Sequence, residues 1–294
     1  MILVSRNGAD SLPLALAALA ACEVPPGGRE VLLVDNGSSD ETPALMRAFA
    51  QDHAARVLAE PRPGKSHGLN TAIEAARGEM LAFIDDDIVV SPGWLMAFHE
   101  AARTGDAGLL AGRIEPLWQS PPPRWLEHLA MRGQACGCTD PAAPAGPHPH
   151  EAVKGGNFAV PRQALGSLRF DTGQVNFGAQ GTAAGGEDAR LAAALSARGW
   201  PVVHVPDARA GHVISPGEMR LGAALGRFVR IGRSRAAFLG LGPTHVPALA
   251  AKALMRLAAT VALAPFGPAR AGEQLARLAT TWGRLAGALG GGRR

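Results

Sequence analysis

The stretch Met80-Leu81-Ala82-Phe83-Ile84-Asp85-Asp86-Asp87 decides how the rest of the chain is read. Five apolar residues in succession suit a strand buried on both faces of a parallel sheet, and they run without a break into three carboxylates. In open parallel sheets, ligands bind beyond the carboxyl ends of the strands. Adjacent carboxylates at that edge repel one another unless a cation sits among them, and all-oxygen ligation favours Mg²⁺ or Mn²⁺ over zinc. Such an ion bridges the phosphates of a nucleotide diphosphate and offsets its charge. An isolated acidic triad would be read as a solvated turn ahead of the helix after Pro92; its place behind a buried strand favours the ion.

Moving toward the N-terminus, the same pattern repeats. Met1–Val4 is a short apolar run followed by the polar turn Ser5-Arg6-Asn7-Gly8, and Leu12, Leu16 and Leu19 recur at helical spacing. Val31–Val34 is a second apolar strand and ends in Asp35-Asn36-Gly37-Ser38-Ser39-Asp40. Pro43 suits a first helical position, with Leu45, Met46 and Phe49 behind it. Val57–Ala59 is a third strand, and a helix follows across Leu69 to Ala76. Strand and helix alternating in this way predict an open, mostly parallel α/β sheet with right-handed crossovers.

Toward the C-terminus the rhythm changes. Residues 119–151 are rich in Pro, Ala, Gly and His, which predicts a long, mobile, irregular loop. Order resumes at Gly155-Gly156-Asn157-Phe158-Ala159-Val160, and a helix over Glu187–Arg198 precedes the strand Val202–Val205. Beyond His212 the chain is predicted helical, so residues 1–217 form one unit and 218–294 a helical region. Gly185-Gly186-Glu187-Asp188 opens the helix that carries Leu191 and Leu195. Acids in a first helical turn are common for dipole reasons alone, but the same dipole keeps a carboxylate ionised, as a general base requires.

Together these segments resemble family-2 glycosyltransferases of the GT-A fold. Val34-Asp35-Asn36-Gly37-Ser38-Ser39-Asp40 is similar to that family's nucleoside turn, and Phe83-Ile84-Asp85-Asp86-Asp87 resembles its DxD-bearing strand end. Gly64-Lys65-Ser66-His67-Gly68-Leu69-Asn70 is similar to its GKSxALN segment. Gly155-Gly156-Asn157 resembles the glycine loop near the acceptor, and Gly186-Glu187-Asp188 the xED motif that carries the base. Pro206-Asp207-Ala208 through Gly211-His212 looks like PDAxxxH, and the ordered matches extend to Gly232-Arg233-Ser234.

The resemblance implies a single-displacement, inverting transfer from a nucleotide-diphospho-sugar to a hydroxyl on a glycan or lipid-linked saccharide. Asp188 is the expected catalytic base, with Glu187 orienting the acceptor. Ser5, Asn7, Asp35, Lys65, Asn70, Asp85 and Asp86 are expected to hold the donor. Gly156 and Asn157 are expected on the acceptor side, with residues 119–151 as a variable acceptor loop. Asp85, Asp87 and His212 are expected to hold Mn²⁺ or Mg²⁺. The Gln-x-x-Arg-Trp signature of processive synthases is missing from the sequence, which implies one sugar per encounter.

Composition narrows the alternatives. The 294 residues are 47% hydrophobic and 18% charged, enough for one substantial core and a helical appendage. From Arg220 onward eleven Arg and Lys252 face the single acid Glu273, a local balance of +11; the total is +4, which leaves −7 before Arg220. A nucleic-acid partner is disfavoured by 5% aromatics and by the acidic cluster. A nucleotidyltransferase or a dinucleotide oxidoreductase would want a glycine-rich phosphate loop after the first strand, where Arg6-Asn7-Gly8-Ala9 is a poor substitute. A non-catalytic sugar-binding relative is the remaining rival, and Asp188 argues against it.

Three cysteines, Cys22, Cys136 and Cys138, make no disulfide framework and suit a cytoplasmic protein. Leu19-Ala20-Ala21-Cys22 imitates a lipoprotein signal, but cleavage there would remove the first strand and helix. Cys136-Gly137-Cys138 with His148 and His150 has no zinc-finger spacing, and His204 reads as a core histidine. Trp118, Trp125 and Trp200 are candidates for a sugar-stacking surface. No window approaches about 20 uncharged apolar residues, the length of a membrane span. Leu275, Leu278, Trp282, Leu285 and Leu289 form an apolar stripe with Arg270, Arg277 and Arg284 on another face, and Leu254, Leu257 and Val261 form a second. Both suit peripheral contact with an anionic membrane at its inner face, or packing within the molecule.

Overall fold

Strands β1 (Ile2–Ser5), β2 (Leu32–Asp35), β3 (Arg56–Ala59) and β4 (Met80–Asp85) lie parallel in the order β3-β2-β1-β4; β1, β2 and β4 carry the apolar runs of buried strands, and β3 is the half-exposed edge. In the computed structural model, which describes residues 1–103, 105–173, 186–263 and 267–290, helices α1 (Leu12–Ala20), α2 (Thr42–His53) and α3 (Lys65–Ala75) make the crossovers. The register sets Ser5 beside Asp35 and Val4 beside Asp85, so the first polar residues of three strands share one edge.

The chain continues through β5 (Ile88–Val90), α4 (Trp94–Arg103), β6 (Leu109–Trp118), α5 (Arg124–Ala130), β7 (Gly146–Pro147), β8 (Asn157–Pro161), α6 (Arg162–Leu165), α7 (Glu187–Ala197) and β9 (Val202–Ile214). Beyond β4 the sheet is mixed: β8 is antiparallel to β4 and β6, β6 is parallel to β9, and β5 is antiparallel to β9. One core face is closed by α1, α2 and α4, with Leu12, Met46, Trp94 and Phe98 buried. On the other, Phe83 stacks on Phe158 with ring centroids 4.8 Å apart, beneath α3 and α7.

Three expectations are corrected here. Residues 119–151, expected as one long irregular loop, hold two short elements and several buried side chains. They contain α5 and β7, and Leu126, Leu129, Cys136 and Cys138 are buried with Ile214 and Phe228. Thr139 pins the segment to β6, its N–H donating to the Ile114 carbonyl at 2.8 Å and its Oγ1 accepting from the Ile114 N–H at 3.0 Å. The strand expected over Val202–Val205 runs on to Ile214, because β6 offers it a ten-residue partner that local patterning did not reveal. Finally, one helical run, Pro243–Leu263, is long and apolar enough to cross a membrane by length and composition, although Lys252 and Arg256 interrupt it.

The C-terminal region comprises α8 (Leu221–Phe238), α9 (Val246–Leu263) and α10 (Pro268–Gly290). Helices α8 and α10 cross backbone to backbone: a methyl group built on Gly232 would lie 2.9 Å from the Gly283 Cα, and one on Gly283 3.0 Å from the Gly232 Cα. Neither position tolerates a side chain at that separation. The α10 stripe is largely used inside the molecule, with Leu275, Leu278 and Leu285 half-buried and Trp125 of α5 seated over Gly272.

Candidate active site

The turn after β2 builds the floor of the site. Asp35 Oδ1 accepts the Ser38 N–H at 3.0 Å, and Asn7, in a left-handed conformation, accepts the Ser39 N–H on its Oδ1 at 2.8 Å. The Asn7 N–H donates to Ser38 Oγ at 3.0 Å, so the loops after β1 and β2 are stapled together. Buried Asn36 donates to the carbonyls of Glu60 and Arg62 and accepts the Gly64 N–H at 3.0 Å. Glu60 accepts from Arg62 and Thr71, and these donors, Arg62 foremost, hold its carboxyl at about 2. The 60–64 loop is thereby fixed, and Gly64, at φ 125°, turns the chain so that Lys65 opens α3.

Lys65 Nζ lies 2.5 Å from Asp85 Oδ1 and 3.5 Å from Glu187 Oε1. Burial opposes its charge, but Asp85, Glu187 and Asp188 outweigh that and hold the ammonium above its ordinary range. Burial pushes the Asp85 carboxyl up, with Lys65 opposing. Asp86 faces away from this pair: it accepts from the Ser5 hydroxyl and packs against Gly8, where any side chain would collide with it. Burial raises its carboxyl to about 6.

Asp87 Oδ2 lies 3.0 Å from His212 Nε2, a meeting set by the β5–β9 register that places His212 opposite Ile88. His212 Nδ1 donates to the Cys136 carbonyl at 2.5 Å, which leaves Nε2 as the nitrogen directed at Asp87. Burial resists charge on both side chains; the hydrogen bond between them nonetheless holds Asp87 low and His212 high.

Asp188 and Glu187 are buried at the start of α7, behind Gly186; Gly185 lies outside the described residues. Asp188 packs so closely on the glycine loop that a methyl group on Gly155 would sit 3.1 Å from its Oδ2. Burial, and then Glu187, push its carboxyl up to about 7. Gly156 faces Asp85 and Ile88 across the same gap. Asp35, Asn7, Lys65, Asp85, Asp87, His212, Gly156, Glu187 and Asp188 thus come together at one sheet edge.

Three expected contacts are corrected. Ser5 is fully buried and its hydroxyl is committed to Asp86. Asn70 spends its side chain on the Phe170 backbone, donating to its carbonyl and accepting its N–H, each at 2.9 Å. Asn157 is a core residue: its Oδ1 accepts from Trp94 Nε1 at 2.7 Å, and its Nδ2 donates to the carbonyls of Arg113 and Ala208. Those carbonyls flank the irregularity where the register jumps from Gly112–Val205 to Arg113–Arg209, so Asn157 satisfies what the bulge leaves open. Trp118, Trp125 and Trp200 do not form one surface. Trp200 packs over Gly108 and Trp125 over Gly272. His204 is buried as expected, Nδ1 meeting the Pro144 carbonyl at 2.9 Å.

Sequence reasoning overlooked Asn36, Glu60, Lys154 and Arg227. Lys154 precedes the glycine loop, its ammonium desolvated and within electrostatic reach of Asp188. Arg227 of α8 pairs with Glu218 and acts on Asp87 and His212. A groove of about 1120 Å³ opens at the opposite edge, between Arg77, Arg103 and Trp200, and includes none of the site acids.

The model of the family described as "Glycosyl transferase family 2" matches residues 1–150, half of the chain. The chain belongs to glycosyltransferase family 2. Relatives in the family include the succinoglycan biosynthesis protein ExoM of Rhizobium meliloti, 32% identical over 114 residues, 38% of this chain and 37% of that protein. Glycosyltransferase AglE of Haloferax volcanii is 31% identical over 117 residues, 39% and 38% of the two chains. An uncharacterized glycosyltransferase of Mycobacterium tuberculosis is 34% identical over 117 residues, 40% of this chain and 49% of its own. The match therefore spans about half, or less, of these relatives.

Two solved structures share the GT-A fold. The mannosyltransferase PcManGT of Pyrobaculum calidifontis, in complex with GDP-Man and Mn²⁺, superposes with a TM-score of 0.58 at 21% identity over 98% of this chain and 84% of that one. TarS of S. aureus, in complex with UDP, gives 0.56 at 15% over 80% and 63%.

Proposed function

We propose that the protein transfers a sugar from a nucleotide-diphospho-sugar to a hydroxyl of a glycan or lipid-linked acceptor, in one displacement with inversion at the anomeric carbon. The observation that carries this reading is Asp188. It is a buried carboxylate at a helix N-terminus, pressed on a glycine loop and one ion pair away from the strand-end acids.

In the forward step the acceptor O–H proton passes to Asp188 as its oxygen bonds to the anomeric carbon. The bond from that carbon to the phosphate oxygen breaks, and the nucleoside diphosphate leaves with the electron pair. A base near neutrality suits that role, and Asp188 is held at about 7. Glu187 and Lys65 fix its surroundings. Asp35 and Asn7 shape the nucleoside end, and Lys65 supplies positive charge toward the diphosphate.

Among the described residues no group of three or more His, Cys, Asp or Glu side chains forms a complete metal cage. The donor set present nonetheless suits a hard divalent ion that completes its shell on substrate oxygens, as Mg²⁺ commonly does. Asp87 is an ionised oxygen donor, and His212 has its tautomer fixed through Cys136, the usual arrangement behind a ligating imidazole. Asp87 and His212 would hold Mn²⁺ or Mg²⁺, with the far oxygen of Asp85 beside them. When bound, the ion offsets charge on the leaving diphosphate. Support for the ion comes also from the Mn²⁺ and GDP-Man in the PcManGT complex.

Cys22, Cys136 and Cys138 are all free and buried, which supports a cytoplasmic setting. The test is a panel of nucleotide-sugars screened by thermal shift with and without Mn²⁺, followed by product analysis with the stabilising donor. An inverted anomeric configuration, and release of free nucleoside diphosphate in equal amount, are expected. Retention of configuration would overturn the single-displacement reading.

A further inference from the structure

The sequence offers two apolar stripes in the C-terminal region, and the fold treats them differently. That of α10 is half-buried at Leu275, Leu278 and Leu285 and open at Trp282 and Leu289, whereas α9 keeps a whole face in the open. Leu254 is 68% exposed, Met255 66%, Leu257 49% and Val261 68%, with exposed Ala251 and Ala258 between them. At 100° per residue these side chains fall on one side of the helix. Of α9's two charged residues, Lys252 lies at the border of that side and Arg256 on the half-buried one. Such a surface is long for a monomer's exposed apolar patch and marks a contact.

What it contacts is indicated by the charges beside it. Arg256 of α9 and Arg277 and Arg284 of α10 act on one another across the seam between the helices, and Arg235 of α8 acts on Arg284. Like charges here are gathered rather than dispersed. Arg277 has Glu273 as a partner, but Arg235, Arg256 and Arg284 form no ion pair among the described residues. The Nε atoms of Arg256 and Arg284 are buried with no hydrogen-bond partner. A seam of under-satisfied guanidiniums bordering an apolar helix face is complementary to a phosphate-bearing surface with hydrocarbon beneath it.

We infer that α9 lies flat on an anionic lipid bilayer, its Leu254–Leu257–Val261 face entering the acyl boundary and the Arg256–Arg284 seam meeting lipid phosphates. The helix does not cross the bilayer. Lys252 and Arg256 fall in the middle of the run, and its other side is already packed on α10. This inference concerns docking alone and stands or falls apart from the proposed chemistry.

Co-sedimentation of the full chain with vesicles of phosphatidylcholine, with and without phosphatidylglycerol, tests it. Wild type should partition at least tenfold more strongly into the anionic vesicles. Binding should fall tenfold or more when Leu254→Ser, Leu257→Ser and Val261→Ser are combined. Arg256→Gln with Arg284→Gln should abolish the anionic preference without lowering the melting temperature, because mutual repulsion is relieved. On wild type itself, bound vesicles should slow amide exchange in residues 251–262 more than in 283–289. Equal sedimentation of wild type and the triple variant, or no protection of α9, would overturn the inference. So would resistance to alkaline carbonate, which indicates a spanning helix, or a dimer that the triple variant dissolves. The triple variant should keep its donor-induced thermal shift, so a failure here is distinguishable from a failure of the transferase reading.

Discussion

The two halves of the site are built by different means. On the donor side, parallel strands β1, β2 and β4 end in register, and each side chain of interest sits within a few residues of a strand end. Away from the strand ends, Asp188, Gly155, His212 and Cys136 come from α7, a loop, a thirteen-residue strand and a segment outside any strand, and they meet only through long-range packing. Local construction tolerates sequence change as long as the strand ends stay polar. Long-range construction depends on a few buried polar residues that hold separate segments in place.

The sharpest way to break this comparison is at its chemical centre. Asp188→Asn should lower transfer by about 10²- to 10⁴-fold, the range for loss of a general base, while the donor-induced thermal shift is kept. Retained turnover would reject Asp188 as the base. On the donor side, Asp87→Ala should weaken donor binding by on the order of tenfold or more in Mn²⁺ and little in EDTA; titration calorimetry under both conditions decides. If EDTA leaves wild-type activity intact, the ion has no place in the mechanism.

Asn157→Ala should act on stability. It strands Trp94 Nε1 and the carbonyls of Arg113 and Ala208 in the core, and each orphaned group costs about 1–3 kcal/mol. Urea melts should show the loss, whereas Asp35→Ala, at a half-buried strand end with one backbone partner, should move the midpoint less.

The smallest expected effect is on pH dependence. Asp188 is raised from an ordinary 3.8 to about 7 by burial and by Glu187. Below about pH 4 the carboxyl holds its proton in both folded and unfolded chains. Between about pH 4 and 7 only the folded chain keeps it, so this group's contribution to stability declines as pH rises through that window and then levels off. Transfer should run the other way, rising toward a plateau above about pH 7 as the base ionises. In Asp188→Asn the decline in stability should flatten; an unchanged slope would assign it to another group.

The same contrast explains what could be read from the residues alone. The sheet's parallel half was legible because Val31–Val34 and Met80–Ile84 are apolar without interruption and end in acid, and the fold places both as expected. Asp87 and His212 were legible as a pair only through their place in a motif; the β5–β9 register that joins them has no local signature. Asn157 was misassigned because its motif position suggested a ligand, and nothing nearby announces a bulge between β6 and β9. Residues 119–151 read as an irregular loop because they are rich in Pro, Ala, Gly and His, yet Leu126, Leu129 and the two cysteines anchor them once α8 and α10 supply the other side. The α10 stripe was open to either packing or surface contact, and the fold divides it: Gly232 and Gly283 let α8 and α10 approach closely, Leu275, Leu278 and Leu285 are half-buried, and Trp282 and Leu289 stay exposed.

The His212 imidazole has one nitrogen on Asp87 and the other on the Cys136 carbonyl. A single aromatic ring therefore belongs to both halves at once. Any shift of residues 134–139 outward weakens the bond at Nδ1 and so alters how strongly the Nε2–H donates to Asp87. By reciprocity of coupling free energies, whatever shifts the bond between Asp87 and His212 acts back on that segment in equal measure.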